Sequence, residues 1–127
     1  FNDYPENKSV KEVLEAAAPS TLQDSLRPQK LYHLLAGKAK TRKHFGSYKY
    51  QGEWGLLDHI IVSGTLLQEH APLYTEEAKA DVFCLPFLLT RDKKYGGQQP
   101  FRTYYGMKYQ GGYSDHLPVW AEFRLLY

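Results

Sequence analysis

Gly111-Gly112-Tyr113-Ser114-Asp115-His116-Leu117-Pro118-Val119, near the C-terminus, sets an acid and an imidazole side by side behind a glycine-rich loop. Directly after it, Val119, Ala121, Phe123 and Leu125 alternate with Trp120, Glu122 and Arg124, the period of a strand with two unlike faces. Upstream, Leu56-Leu57-Asp58-His59-Ile60-Ile61-Val62-Ser63 is apolar at odd and even positions alike. That pattern predicts a strand buried on both faces, here with a carboxylate inside it. The chain opens on Phe1-Asn2-Asp3-Tyr4-Pro5, a good turn sequence in its own right.

The composition is that of an ordinary folded domain. The 127 residues are enough for one domain with a modest core, and 43% hydrophobic with 24% charged residues is typical of soluble proteins. Sixteen Lys and Arg against fourteen Asp and Glu leave a formal charge of +2, too small a surplus to argue for nucleic acid on bulk electrostatics. The eleven tyrosines offer stacking surfaces, but Tyr also favours strands, and the structural reading is the simpler one. Cys84 is the single cysteine, which excludes an internal disulfide. Its setting in Val82-Phe83-Cys84-Leu85 predicts a buried, inert thiol. No apolar run approaches the roughly 18 residues of a membrane span.

Two helices are expected near the start. Ser9 and Glu12 have capping-box spacing, and Val10, Val13, Leu14 and Ala17 recur as one apolar face until Pro19. A second helix is expected from Pro28, with Leu31, Leu34 and Leu35 buried and Gly37 as its C-terminal cap. Lys38, Lys40, Arg42 and Lys43 then form a basic run, read first as a solvated loop and second as a phosphate-facing one. Tyr48 to Tyr50 reads as a half-exposed strand and residues 52–55 as a turn. Residues 65–77 read as irregular, 80–85 as an apolar strand and 91–100 as a polar loop. Strands and helices in this order suggest layered α/β or α+β packing.

A carboxylate in an apolar strand must be paired or hydrogen-bonded, because isolated burial costs several kcal/mol. His59 points to the opposite face from Asp58, since side chains alternate along a strand. The partner of Asp58 therefore comes from elsewhere, and His116 is the natural candidate. A carboxylate on one ring nitrogen fixes the imidazole tautomer and leaves the other nitrogen for a substrate oxygen. Asp115 points away from His116 if the strand has begun, and suits a hard cation such as Mg²⁺ or a capping role in its loop.

In this order the three stretches resemble the last three motifs of the endonuclease/exonuclease/phosphatase superfamily, the deoxyribonuclease I-like phosphoesterases. Ser-Asp-His-Leu-Pro-Val at 114–119 is similar to the motif that carries the family's catalytic histidine. Leu-Asp-His-Ile at 57–60 resembles the strand whose Asp orients that histidine, and Phe-Asn-Asp at 1–3 resembles the tail of a Gly-Asp-Phe-Asn motif. The resemblance implies His116, Asp58 and Asn2 as catalytic residues and Asp115 as a metal ligand. Gly52-Glu53-Trp54 is similar to a bacterial branch of the family.

The resemblance also implies an α/β (α+β) sandwich. The 127 residues would form a single partial domain, the C-terminal half of a four-layer fold, with a mixed sheet and helices on one face. Its cofactor would be Mg²⁺ or Mn²⁺, requiring a Glu from an N-terminal half. The chain would then be inactive or nearly so alone, and would pair with that half or with a second copy. The implied activity is metal-dependent hydrolysis of a phosphodiester in a nucleic acid, or of a phospholipid or inositol-phosphate head group. A non-catalytic scaffold of the same fold is the alternative. By proximity to the catalytic loop alone, Arg102, Tyr104 and Lys108 are expected to contact substrate.

Overall fold

A computed structural model describes residues 2–19 and 26–127. Its regular structure is mostly short strands: β1 (Leu31–His33), β2 (Tyr48–Tyr50), β3 (Glu53–Gly55), β4 (Ile61–Ser63), β5 (Leu73–Tyr74), β6 (Ala80–Val82), β7 (Leu89–Arg91), β8 (Gln98–Pro100), β9 (Tyr104–Tyr105), β10 (Lys108–Tyr109), β11 (Val119–Ala121) and β12 (Arg124–Leu125). They pair as six two-stranded antiparallel ladders, β1–β4, β2–β3, β5–β12, β6–β11, β7–β8 and β9–β10. The expected mixed sheet is not what the described residues form. Their one parallel contact is an isolated bridge between Ala17 and Tyr32. The single α-helix among them is α1 (Ala36–Thr41). No helix among the described residues is long and apolar enough to cross a membrane.

The core gathers on β1 and β4. Tyr32, Leu34, Leu35, Leu56, Val62, Leu67 and Ala80 are buried together, with Ile60, Val82, Val119 and Ala121 packed against them. Tyr32 lies opposite Val62 in the ladder, and its hydroxyl accepts the Arg27 N–H at 2.8 Å. The helix expected from Pro28 is therefore a strand instead. Its apolar run is too short for periodicity to separate helix from strand, and pairing with 61–63 decides the matter. The helix comes later, over the basic run that was expected to be a loop, and Gly37 is buried within it, not capping an earlier one. Lys38 donates to the Glu77 carbonyl at 2.6 Å and Arg42 pairs with Asp81 at 3.0 Å, so these cations hold α1 to the chain around β6.

The first expected helix is a single wide turn, Ser9–Val13, in which the Leu14 N–H reaches the Ser9 carbonyl. Ser9 makes no cap. Its hydroxyl donates to the Asp3 carboxylate, a partner from an earlier turn. Val13 is 72% exposed, so the apolar face extends no further than Val10. Glu15 adopts a positive φ of 51° and ends the turn.

The remaining departures are local. Residues 53–55, expected in a turn, form β3, because the reversal is made by Gln51 and Gly52 at φ 48° and 87°. Two successive positive-φ residues match the twist of a hairpin. The 91–100 loop likewise contains the ends of a hairpin, β7 and β8, around a turn with Gly96 and Gly97 at positive φ. The 56–63 strand is laddered only at 61–63. The strand expected at 80–85 stops at Val82, and Cys84 is exposed, not buried. The final strand breaks at 122–123, where the chain changes partner from β6 to β5. There the Glu122 N–H bonds the Lys79 carbonyl at 2.8 Å, and the Glu122 carbonyl accepts the Thr75 hydroxyl at 2.7 Å. On the alternating apolar face Val119 and Ala121 pack on the core, whereas the described residues leave Phe123 at 41% and Leu125 at 53% exposed.

Candidate active site

Ser47 organises the site, and no motif pointed to it. It is fully buried, and its N–H donates to the Gly55 carbonyl at 3.0 Å. Its carbonyl accepts the Leu117 N–H at 2.7 Å, and its hydroxyl accepts the Leu57 N–H at 3.3 Å. One residue thus ties the Asp58 segment to the His116 segment. The approach depends on Gly46, where a Cβ would stand 2.5 Å from the Gly55 carbonyl oxygen.

Across this junction His116 Nδ1 lies 2.7 Å from Asp58 Oδ2. The pair joins positions 58 residues apart. Tyr48 completes the setting: it bridges His116 through the backbone, and its ring lies 4.9 Å from the imidazole, centroid to centroid. Burial pushes the Asp58 carboxyl up, but hydrogen bonds from the Ser47 hydroxyl and from His116 outweigh it, leaving the group below its ordinary value. With Nδ1 committed to Asp58, Nε2 is the nitrogen left to act on a substrate, and the side chain is 24% exposed.

The loop before His116 is pinned from its other side. The N–H groups of Gly112 and Tyr113 donate to the carbonyls of Arg102 and Phe101 at 3.1 and 2.6 Å. A Cβ on Gly112 would lie 2.1 Å from the Phe101 carbonyl oxygen, so only glycine allows this contact. Ser114 Oγ accepts the His116 N–H at 3.1 Å and closes the turn.

The other expected site residues divide. Asn2 is exposed and its side chain bonds neither Asp58 nor His116. Its neighbourhood is nevertheless close by: the Tyr4 ring fills the space a Gly55 side chain would need, and Asp3 influences His59. Asp115 is exposed. Among the described residues no three His, Cys, Asp or Glu side chains converge to hold a metal ion. The donor set here does not by itself fit a divalent cation. Arg102 and Lys108 line a groove of about 770 Å³ that begins at Tyr48. Tyr104 does not line it, and its neighbour Tyr105 does. Tyr104 packs edge-on against Tyr109 instead. The 38–43 run is absent from this groove.

Beside Asp58, His59 Nδ1 meets His33 Nε2 at 2.6 Å. His33 is fully buried, and its Nδ1 accepts the Leu35 N–H at 3.1 Å, which places its proton on Nε2. Burial, with the neighbouring His59, pushes the His33 imidazole down to about 4. This histidine pair ties the segment that carries Asp58 to β1.

Residues 1–125 match the profile of the Endonuclease/Exonuclease/phosphatase family. The chain belongs to that family. No curated protein and no solved structure matches it. Members of the family are typically hydrolases of phosphate esters, so the family indicates a hydrolase of the phosphodiesterase or nuclease type acting on a phosphate-ester substrate. Within the family chain, the motifs made His116 and Asp58 legible. Ser47 was not, because its contribution is mostly backbone geometry, and Tyr48 was read only as a strand residue. Alternation from Arg102 would have favoured Tyr104, and it is the pairing of Lys108 with Tyr105 across β9 and β10 that sets those two on one face.

Proposed function

We propose that this chain carries the histidine side of a phosphodiesterase active site. The observation that supports it is the 2.7 Å contact between Asp58 and His116 Nδ1, in a family of phosphate-ester hydrolases. In the proposed reaction a water oxygen bonds to phosphorus as the water gives up a proton, one ester P–O bond breaks, and the leaving alkoxide takes up a proton. His116, through Nε2, contacts an oxygen on phosphorus and supplies or stabilises a proton there. Asp58 holds Nδ1 and orients the ring so that Nε2 faces that oxygen. Asn2 positions the scissile group, and orientation of this kind lowers a barrier by several kcal/mol.

The Mg²⁺ or Mn²⁺ that the resemblance implies is part of the proposal. Asp115 offers one carboxylate, and the remaining donors, a glutamate foremost, come from outside the described residues. The same half-domain reading makes these residues the C-terminal half of a four-layer sandwich, completed by an N-terminal half or a second copy. Hydrolysis of a chromogenic phosphodiester by the intact parent protein, with Mg²⁺ or Mn²⁺ added, tests the reading. The His116→Ala variant is expected to lose about 10²- to 10⁴-fold in rate, the usual contribution of a positioned acid or base. Equal rates for the two proteins, or no hydrolysis under any divalent metal, would favour the non-catalytic scaffold.

A further inference from the structure

The groove that starts at Tyr48 is concentrated in two kinds of side chain. Lys49 and Asp92 lie at its base as a buried pair, 2.8 Å apart and each 5% exposed, so their charges cancel. Lys49 is further committed to the carbonyls of Gly96 and Gln98 at 2.8 and 3.1 Å. Around this neutral base stand Arg91, Lys93, Lys94, Arg102 and Lys108. Among the described residues none of these five has a carboxylate partner. Asp92 is the single acidic residue in the lining. Five cations without a carboxylate partner in one groove are a strong local excess in a chain whose whole formal charge is +2.

Tyrosine rings alternate with these charges. Tyr50, Tyr95 and Tyr105 line the groove at 58%, 48% and 66% exposure. Lys94 lies 5.1 Å from the Tyr95 ring and Arg102 lies 5.4 Å from the Tyr105 ring, so each cation is held beside an exposed aromatic face. Arg102 Nε is buried with no hydrogen-bond partner. The groove is also continuous with the candidate active site. Tyr48 lines it and packs on His116, and the backbone of Phe101 and Arg102 holds the loop that carries His116.

A ligand that satisfies both features has spaced negative charges and flat apolar faces. A compact phosphorylated head group would meet the cations and leave the rings wet. A duplex hides its base faces. From this groove we infer that the chain binds single-stranded nucleic acid. Arg91, Lys94, Arg102 and Lys108 track the phosphates, Tyr50, Tyr95 and Tyr105 stack the bases, and one phosphodiester is brought to His116. The last step rests on the phosphodiesterase reading; the binding does not.

Fluorescence anisotropy of a labelled oligothymidylate, in EDTA so that nothing is cleaved, tests the assignment with the chain as it stands. Neutralising four phosphates on a single strand gives a slope of log K against log salt of roughly −3. Tyr105→Ala is expected to weaken binding about tenfold and Tyr105→Phe to preserve it. Lys94→Gln and Lys108→Gln, both at exposed positions, reduce the salt slope without a folding penalty. Duplex DNA, inorganic polyphosphate or anionic phospholipid vesicles competing as well as the oligonucleotide would each overturn the assignment. So would salt-insensitive binding. Loss of oligonucleotide binding by a parent protein that still cleaves a small diester overturns the groove alone. Tight binding by a parent protein that cleaves nothing overturns the hydrolase reading alone.

Discussion

Asp58 is the residue on which the site turns, because its environment balances opposing effects. Burial disfavours its charge, while Ser47 and His116 favour it and win, so its carboxyl titrates below the ordinary 3.8. The stabilisation from this charged contact is complete above the unfolded value and is lost as pH falls through the lower folded one. Asp58→Asn should slow the proposed hydrolysis at neutral pH while leaving binding in the groove intact, which steady-state rates and anisotropy would separate. His33 carries the opposite kind of group and a different window. It is neutral when folded down to about 4 and protonates near 6.5 when unfolded. Between those values the unfolded chain holds more protons, so stability should fall as pH drops from 6.5 to 4 and level off below. The full effect is on the order of 3 kcal/mol. Urea unfolding at a series of pH values would show this slope, and His33→Gln should flatten it.

At the scale of elements, short ladders are held in register by contacts that only small residues permit. Gly46 and Gly112 are the two that matter for the site, since any side chain there meets backbone atoms of Gly55 or Phe101. Backbone cannot move aside as a flexible side chain would. Gly46→Ala should separate the Ser47 junction from β3 and destabilise the fold by about 1–3 kcal/mol, the usual cost of overpacking. Gly112→Ala acts on the loop and should reduce the proposed turnover more than it lowers the melting temperature. Calorimetry alongside activity would show whether that split holds. The pattern of apolar residues did not reveal these hairpins, because three-residue strands give too few positions for a period to appear. It failed likewise at 31–35, where a helical spacing of leucines became β1 and the turn after it.

At the scale of the whole molecule, much apolar surface is left open. Phe83, Leu85, Phe87, Trp120, Phe123 and Leu125 are all 40% or more exposed. Soluble monomers seldom leave large contiguous apolar patches uncovered. Light scattering on the isolated chain is therefore expected to give a mass above the 14.7 kDa of one copy, rising with concentration. A steady monomer across concentrations would show that these side chains need no partner. The groove is a property of this scale as well. Its cations come from residues 91 to 108 and its first tyrosines from 48 and 50, on separate hairpins that no linear pattern joins.

By itself the sequence determined the chemistry available. An acid in an apolar run and an Asp-His pair behind two glycines required a polar partner for the buried carboxylate, and the motif order pointed to a family that the whole-chain match bears out. Which groups meet was decided by tertiary structure. The 2.7 Å contact of Asp58 with His116 depends on Ser47, whose bonds to Gly55, Leu57 and Leu117 are made mostly through the backbone. Backbone hydrogen bonds leave little trace in residue identity, and charges distant in sequence add up only when folding brings them to one surface.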